Sequence, residues 1–115
     1  MSTQTTEIMH GGAERLTINW VNADPPPTRI ARYRVPPGHS VSMHVHTGKA
    51  EHWVIVAGEG VVRVGEQSFP VSVGDVVHTP PTVPHGLTAT GEEPLVFLNI
   101  VQPTGEPITS TEIGA

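Results

Sequence analysis

The sequence predicts an all-β chain of one domain, built as a sandwich or barrel. Three observations carry this. Glycine and proline occur twelve times each in 115 residues, well above average usage, and they cut the chain into short segments. Helix signals are nearly absent: apolar spacing of three and four never runs far without meeting a glycine or proline. Roughly eight or nine strand-like segments then follow one another at near-regular spacing.

Residues 1–14 read as a flexible N-terminal arm, and 15–115 as the β domain. LTINWV (16–21) is the first expected strand. NADPPPT is a stiff connector whose prolines cannot donate to a ladder. RIARYRV (29–35) alternates, with Arg32 and Arg34 on one face and Tyr33 and Val35 on the other. PPG turns the chain into SVSMHVH (40–46), which puts Ser42, His44 and His46 on one face. After the loop TGKA comes EHWVIVA (51–57). GEG makes a tight turn, and VVRV and SFPVSV form a hairpin around GEQ, whose Gly65 suits a positive φ. GDVVHT, HGLTAT and PLVFLNIV supply three more strands, separated by PPTVP and GEE. The tail from Gln102 is polar and turn-rich.

Composition excludes several function classes. Eleven acidic against six basic residues give a net charge of −5. Only Arg29, Arg32 and Arg34 cluster, which makes neither a nucleic-acid stripe nor a polybasic membrane patch. The longest apolar run, WVIVA, is far too short to span a bilayer. The N-terminus lacks an apolar signal core. The expectation is a cytoplasmic protein with no nucleic-acid or membrane partner. No cysteine is present, so disulfides and thiolate metal sites are excluded.

Seven histidines are present, and four fall between Gly38 and Gly58. His44 and His46, two apart on a strand, project from one face. Glu51 opens the next strand, where its carboxylate can return opposite the two imidazoles. His85 follows PPTVP, a loop stiffened by Pro80, Pro81 and Pro84. Three imidazoles and a carboxylate suit a divalent transition ion such as Zn, Mn, Fe, Ni or Co, with coordination positions left open. Surface histidines without a role are the competing reading.

The spacing carries a resemblance. Gly38, His44, His46, Glu51 and Gly58 are separated by five, one, four and six residues, which resembles the first cupin motif at each fixed position. Gly74, five residues, Pro80 and then His85 resemble the second. Thr82 stands where the family usually has glycine, and Ala89 where it usually has asparagine. The resemblance implies a double-stranded β-helix, or jelly-roll, barrel with a metal inside, and it implies His44, His46, Glu51 and His85 as the ligands. SMHVHTGKAEHWVIVAGEGVVRVG is more narrowly similar to the cupin domain of type II phosphomannose isomerases, with Lys49 in place of an arginine. Here that domain reads as standing alone, without a nucleotidyltransferase part. Cupins often pair, and LTINWV has the edge potential for it, so a homodimer is expected.

Alternation extends the pocket list. Ser42 faces with the two histidines, Trp53 and Ile55 face with Glu51, and His52 points away. Arg32 and Arg34 are the candidates to hold a substrate's anionic end if their face is interior; an exterior face leaves them solvated or paired across a subunit contact. His78, near His85, is the candidate catalytic base, with an ordinary strand residue as the alternative. His10 and His39 read as loop residues, and Asp75 as a turn former. Three functions are compatible. The first is an isomerase- or epimerase-like enzyme on a small oxygenated, sugar-phosphate-like or otherwise anionic substrate. The second is an oxygen-dependent dioxygenase using Fe, Ni or Cu. The third is a non-catalytic small-molecule binder.

Overall fold

The computed structural model describes residues 5–114, and no helix occurs among them. Eleven strands form two sheets. One carries β1 (Thr6–Ile8), β2 (Glu14–Thr17), β3 (Ile30–Val35), β10 (Leu95–Pro103), β5 (Lys49–Ala57) and β8 (Val76–Thr79), in the order β1-β2-β3-β10-β5-β8. The other carries β11 (Thr109–Gly114), β4 (Ser40–Thr47), β9 (His85–Ala89), β6 (Glu59–Val64) and β7 (Gln67–Ser72), in the order β11-β4-β9-β6-β7. All strand pairs are antiparallel. This is the all-β jelly roll that the sequence predicts.

From β3 onward the chain changes sheet at each connection except the β6–β7 hairpin. The crossings explain the glycines. Gly38, Gly48, Gly58, Gly74 and Gly105 all sit at crossings with positive φ. At Gly48 and Gly58 space forbids a side chain as well. A Cβ on Gly48 would stand 2.4 Å from the Pro107 carbonyl oxygen, and one on Gly58 2.3 Å from that of Pro94. The β8–β9 crossing uses Thr82 instead, at φ 66°, a region that β-branched residues rarely enter.

The inward faces grade from polar to apolar along each strand. On β5 the inward residues run Lys49, Glu51, Trp53, Ile55; on β10 they run Val101, Asn99, Phe97, Leu95. The apolar end is closed by Val35, Ile55, Val62, Val71, Val77, Leu87 and Leu95. Between the two halves lies an aromatic layer. Phe97 stacks on Tyr33 at 4.8 Å and on Trp53 at 4.6 Å between centroids. It forms the floor beneath the polar half of the barrel.

Three boundaries depart from the sequence reading. The expected LTINWV strand begins earlier and ends at Thr17. Its partner β3 gives out at Ile30, and beyond it the prolines cannot extend a ladder, so Val21 stands fully exposed. In the expected arm, Thr6–Ile8 form β1 in register with Glu14–Leu16, while residues 1–4 lie outside the described residues. The polar tail supplies β11, which pairs with β4 and sets Glu112 opposite His44 and Ser110 opposite His46.

Candidate metal centre

Gly48 separates the ligand strands. The sequence reading set Glu51 on a strand neighbouring the histidine pair; instead β4 and β5 belong to opposite sheets. His44 and His46 project from β4, and His85 stands opposite His44 on the adjacent β9. Glu51 comes across the barrel from β5. One ligand atom from each of His44, His46, Glu51 and His85 falls within 4.8 Å of the others. His46, Glu51 and His85 are buried, and His44 is half-buried.

Hydrogen bonds aim the rings. His44 Nδ1 lies 2.7 Å from the Ser42 carbonyl oxygen, and His85 Nδ1 lies 3.0 Å from that of Val83. A carbonyl only accepts, so each Nδ1 carries a proton, and it is Nε2 that each ring turns inward as the nitrogen free to bind an ion. His85 Nε2 is buried without a hydrogen-bond partner, and at 3.7 Å from Glu51 Oε1 it is beyond hydrogen-bond reach. Such an orphaned lone pair, facing a carboxylate and two further imidazoles, fits a cation between them. Burial without partners would otherwise be costly.

Glu51 is held from both sides. Trp53 Nε1 donates to Oε1 at 3.1 Å, and Lys49 Nζ stands 3.0 Å from Oε2. Burial opposes its ionisation, but the Lys49 ammonium at hydrogen-bond distance, with His46 beside it, outweighs burial and holds the carboxyl well below the usual range. Burial pulls His46 down to about 4, with Glu51 working against the shift and Lys49 with it. Burial also lowers His44. His44 and His46 thus favour the neutral form and Glu51 the charged one, the protonation states that metal ligation requires.

Above the donors opens a cavity of about 250 Å³. One wall is cationic, with Arg15 from β2, Arg29 just before β3 and Lys49. The opposite side holds Ser42, Ser110 and Glu112, and His10 stands at the mouth. Ser42 Oγ donates to Glu112 Oε2 at 2.6 Å, and His10 Nδ1 is 3.8 Å from the same oxygen. Arg15 Nη2 binds Glu7 at 3.1 Å, while its buried Nε has no partner. Arg29 Nη2 donates to Thr17 Oγ1 at 3.3 Å, and among the described residues Arg29 forms no ion pair.

The three expected catalytic side chains lie elsewhere. Arg32 and Arg34 are exposed on the outer face of β3, and Arg34 pairs with Glu14 of β2 at 3.2 Å. His78 is exposed on the outer face of β8, against His52. Their place in the site is corrected: with Ala31 and Val35 buried and Tyr33 half-buried on the inner face, the period of two forces Arg32 and Arg34 outward, and buried Val77 and Thr79 do the same to His78. Ser42, Trp53 and Ile55 do face inward. Arg15, Arg29, Lys49, Asn99 and Glu112 were missed. The same alternation signal extends from Tyr33 to Arg29 and from Glu51 to Lys49, whereas Arg15 falls between the expected arm and the first expected strand, and Glu112 lies in the segment read as a polar tail.

The Cupin domain family matches residues 31–101. The chain belongs to the cupin family. All four donors of this cupin lie within the matched span, while Arg15, Arg29 and Glu112 lie outside it. The chain is 38% identical over 72 residues to an oxalate-binding protein of Thermotoga maritima, covering 63% of this chain and 60% of that protein. It is 39% identical over 75 residues to mannose-1-phosphate guanylyltransferase of Escherichia coli, covering 65% of this chain but 16% of that protein. Each match spans less than two thirds of the relative's length. The crystal structure of a predicted oxalate decarboxylase from Thermotoga maritima superposes with TM-score 0.76 and 31% identity, over 88% of this chain and 92% of that one.

Proposed function

We propose that this cupin holds a divalent transition ion on His44, His46, Glu51 and His85 and takes a small oxyanion, a short carboxylate of the oxalate kind, between that point and the cationic wall. The observation that carries this is the meeting of Arg15, Arg29 and Lys49 with three of the four donors in one small cavity. When bound, the ion supplies a Lewis acid with positions open to ligand oxygens. Arg29 offers the least committed guanidinium and orients the carboxylate in a forked geometry. The aromatic layer of Tyr33, Phe97 and Trp53 closes the floor against water. The relative whose name includes oxalate supports this ligand class.

A catalytic version of the reading draws on one further observation. Glu112 faces the cavity beside Ser42 and His10, on the side away from the cations. A carboxylate there can take or return a proton on a ligand whose anionic end lies against Arg29. This replaces the isomerase-like reading built on His78, Arg32 and Arg34, because none of those three reaches the cavity.

The test is calorimetric titration of Mn-loaded protein with oxalate and with a sugar phosphate. Oxalate should bind, and Arg29→Met should weaken it at least about tenfold, as expected for loss of a charged hydrogen bond. Preference for the sugar phosphate, or an unaltered oxalate affinity in Arg29→Met, would overturn the proposal.

A further inference from the structure

Glu51 and His52 are neighbours on β5 but face opposite ways. Glu51 is buried in the barrel, and His52 stands on the outer face of the six-stranded sheet, in register with His78 of β8. Their ring centroids are 5.0 Å apart with planes inclined by 22°. Nδ1 of one lies 3.4 Å from Nδ1 of the other. On its far side, His52 Nε2 is 2.8 Å from Gln102 Oε1. An amide oxygen only accepts, so Nε2 carries a proton, and Nδ1, turned toward His78, is the nitrogen of His52 left to bind an ion.

We propose that His52 and His78 form a second, surface site for a divalent transition ion, separate from the interior centre. Two nitrogens bound to a tetrahedral zinc at about 2.0–2.1 Å stand about 3.3–3.4 Å apart, which matches the separation of the two Nδ1 atoms. A square-planar ion would draw them to about 2.9 Å, so the bite favours zinc or cobalt over copper. Gln102 fixes the tautomer and ring orientation of one ligand through its outer nitrogen, the usual support of a metal-binding imidazole. His78 is exposed, so an ion reaches the pair directly from solvent and water fills the remaining positions. Ligation displaces the hydrogen bond between the rings, and His78 then keeps its proton on Nε2. The role is independent of the interior ligand set, because alternation turns Glu51 inward and His52 outward on β5, and His44, His46 and His85 stand on the facing sheet.

Zinc titration of the metal-free protein tests this. Wild type should take up a second, weaker zinc ion after the interior one. His78→Ala, an exposed substitution that leaves the fold intact, should lose only the weaker event, and Gln102→Ala should weaken it about tenfold or more. In Glu51→Gln the interior event should weaken while the His52 and His78 ring protons still shift on zinc addition in NMR spectra. A wild type that binds no second ion, or a His78→Ala variant with the same zinc isotherm as wild type, would overturn the proposal. Failure of the interior centre would instead remove the tighter event and leave the weaker one in place.

Discussion

Trp53 Nε1 donates to Glu51 Oε1 at 3.1 Å, across two residues of one strand. The indole is 1% exposed, so this hydrogen bond forms where water cannot substitute. It fixes the carboxylate that faces three imidazoles, and it joins the aromatic floor to the site above it.

Trp53→Phe should keep the floor stacked while leaving Glu51 Oε1 without its donor. An unsatisfied buried acceptor costs about 1–3 kcal/mol, and loss of such support typically lowers metal affinity about 10–100-fold. Zinc titration with a parallel thermal melt checks both effects. A variant that melts and binds like wild type would show that the indole only packs.

The β8–β9 crossing predicts a stabilising change. Thr82 occupies φ 66°, where a non-glycine residue pays about 1–2 kcal/mol, offset in part by the greater unfolded-state freedom of glycine. Thr82→Gly should therefore raise unfolding stability by up to about 1 kcal/mol, read from the denaturant midpoint at constant slope.

Much of the architecture was legible because two signals are strictly local. Alternation placed Ser42, His44 and His46 on one face and Trp53 with Glu51 on another, and glycines marked the turns. Glycine marks the β6–β7 hairpin at Gly65 and the sheet crossing at Gly48 alike, so the sequence did not reveal that Glu51 arrives from the facing sheet. Thr82 stood out as a departure from the usual glycine, but its positive φ is imposed by the crossing and not by its own preference. β11 was illegible for a different reason: Thr109–Glu112 are polar on both faces, Ile113 is exposed, and only pairing with β4 makes them a strand. Arg15 followed the same logic, set on the inner face by register with Tyr33, whereas Arg29 and Lys49 continue the alternation of β3 and β5.

Stability of the metal-free protein should fall with acid. His46 titrates at about 4 when folded against 6.5 as the ordinary value, so the unfolded chain binds more protons between those two pH values. Its contribution is complete above 6.5 and is lost as pH falls toward 4. Glu51, held below 4.5, adds a further loss in the same direction below that pH. Urea midpoints measured from about pH 8 down to about pH 4 should decline, and His46→Gln should flatten the decline between 6.5 and 4. A midpoint that rises on acidification would contradict these assignments.

The outer arginines supply a control. Arg32→Ala and Arg34→Ala should leave oxalate affinity of the metal-loaded protein within about twofold and stability within about 0.5 kcal/mol, the usual range for exposed positions. A loss as large as that of Arg29→Met would place them at the ligand after all.

Metal content tests the centre most directly. Untagged protein, dialysed to remove weakly held ions, should carry about one divalent transition ion per chain by elemental analysis, while Glu51→Gln and His85→Ala, folded by circular dichroism, should each retain under about a tenth of it. Equal metal content in all three proteins would contradict a centre built from His44, His46, Glu51 and His85.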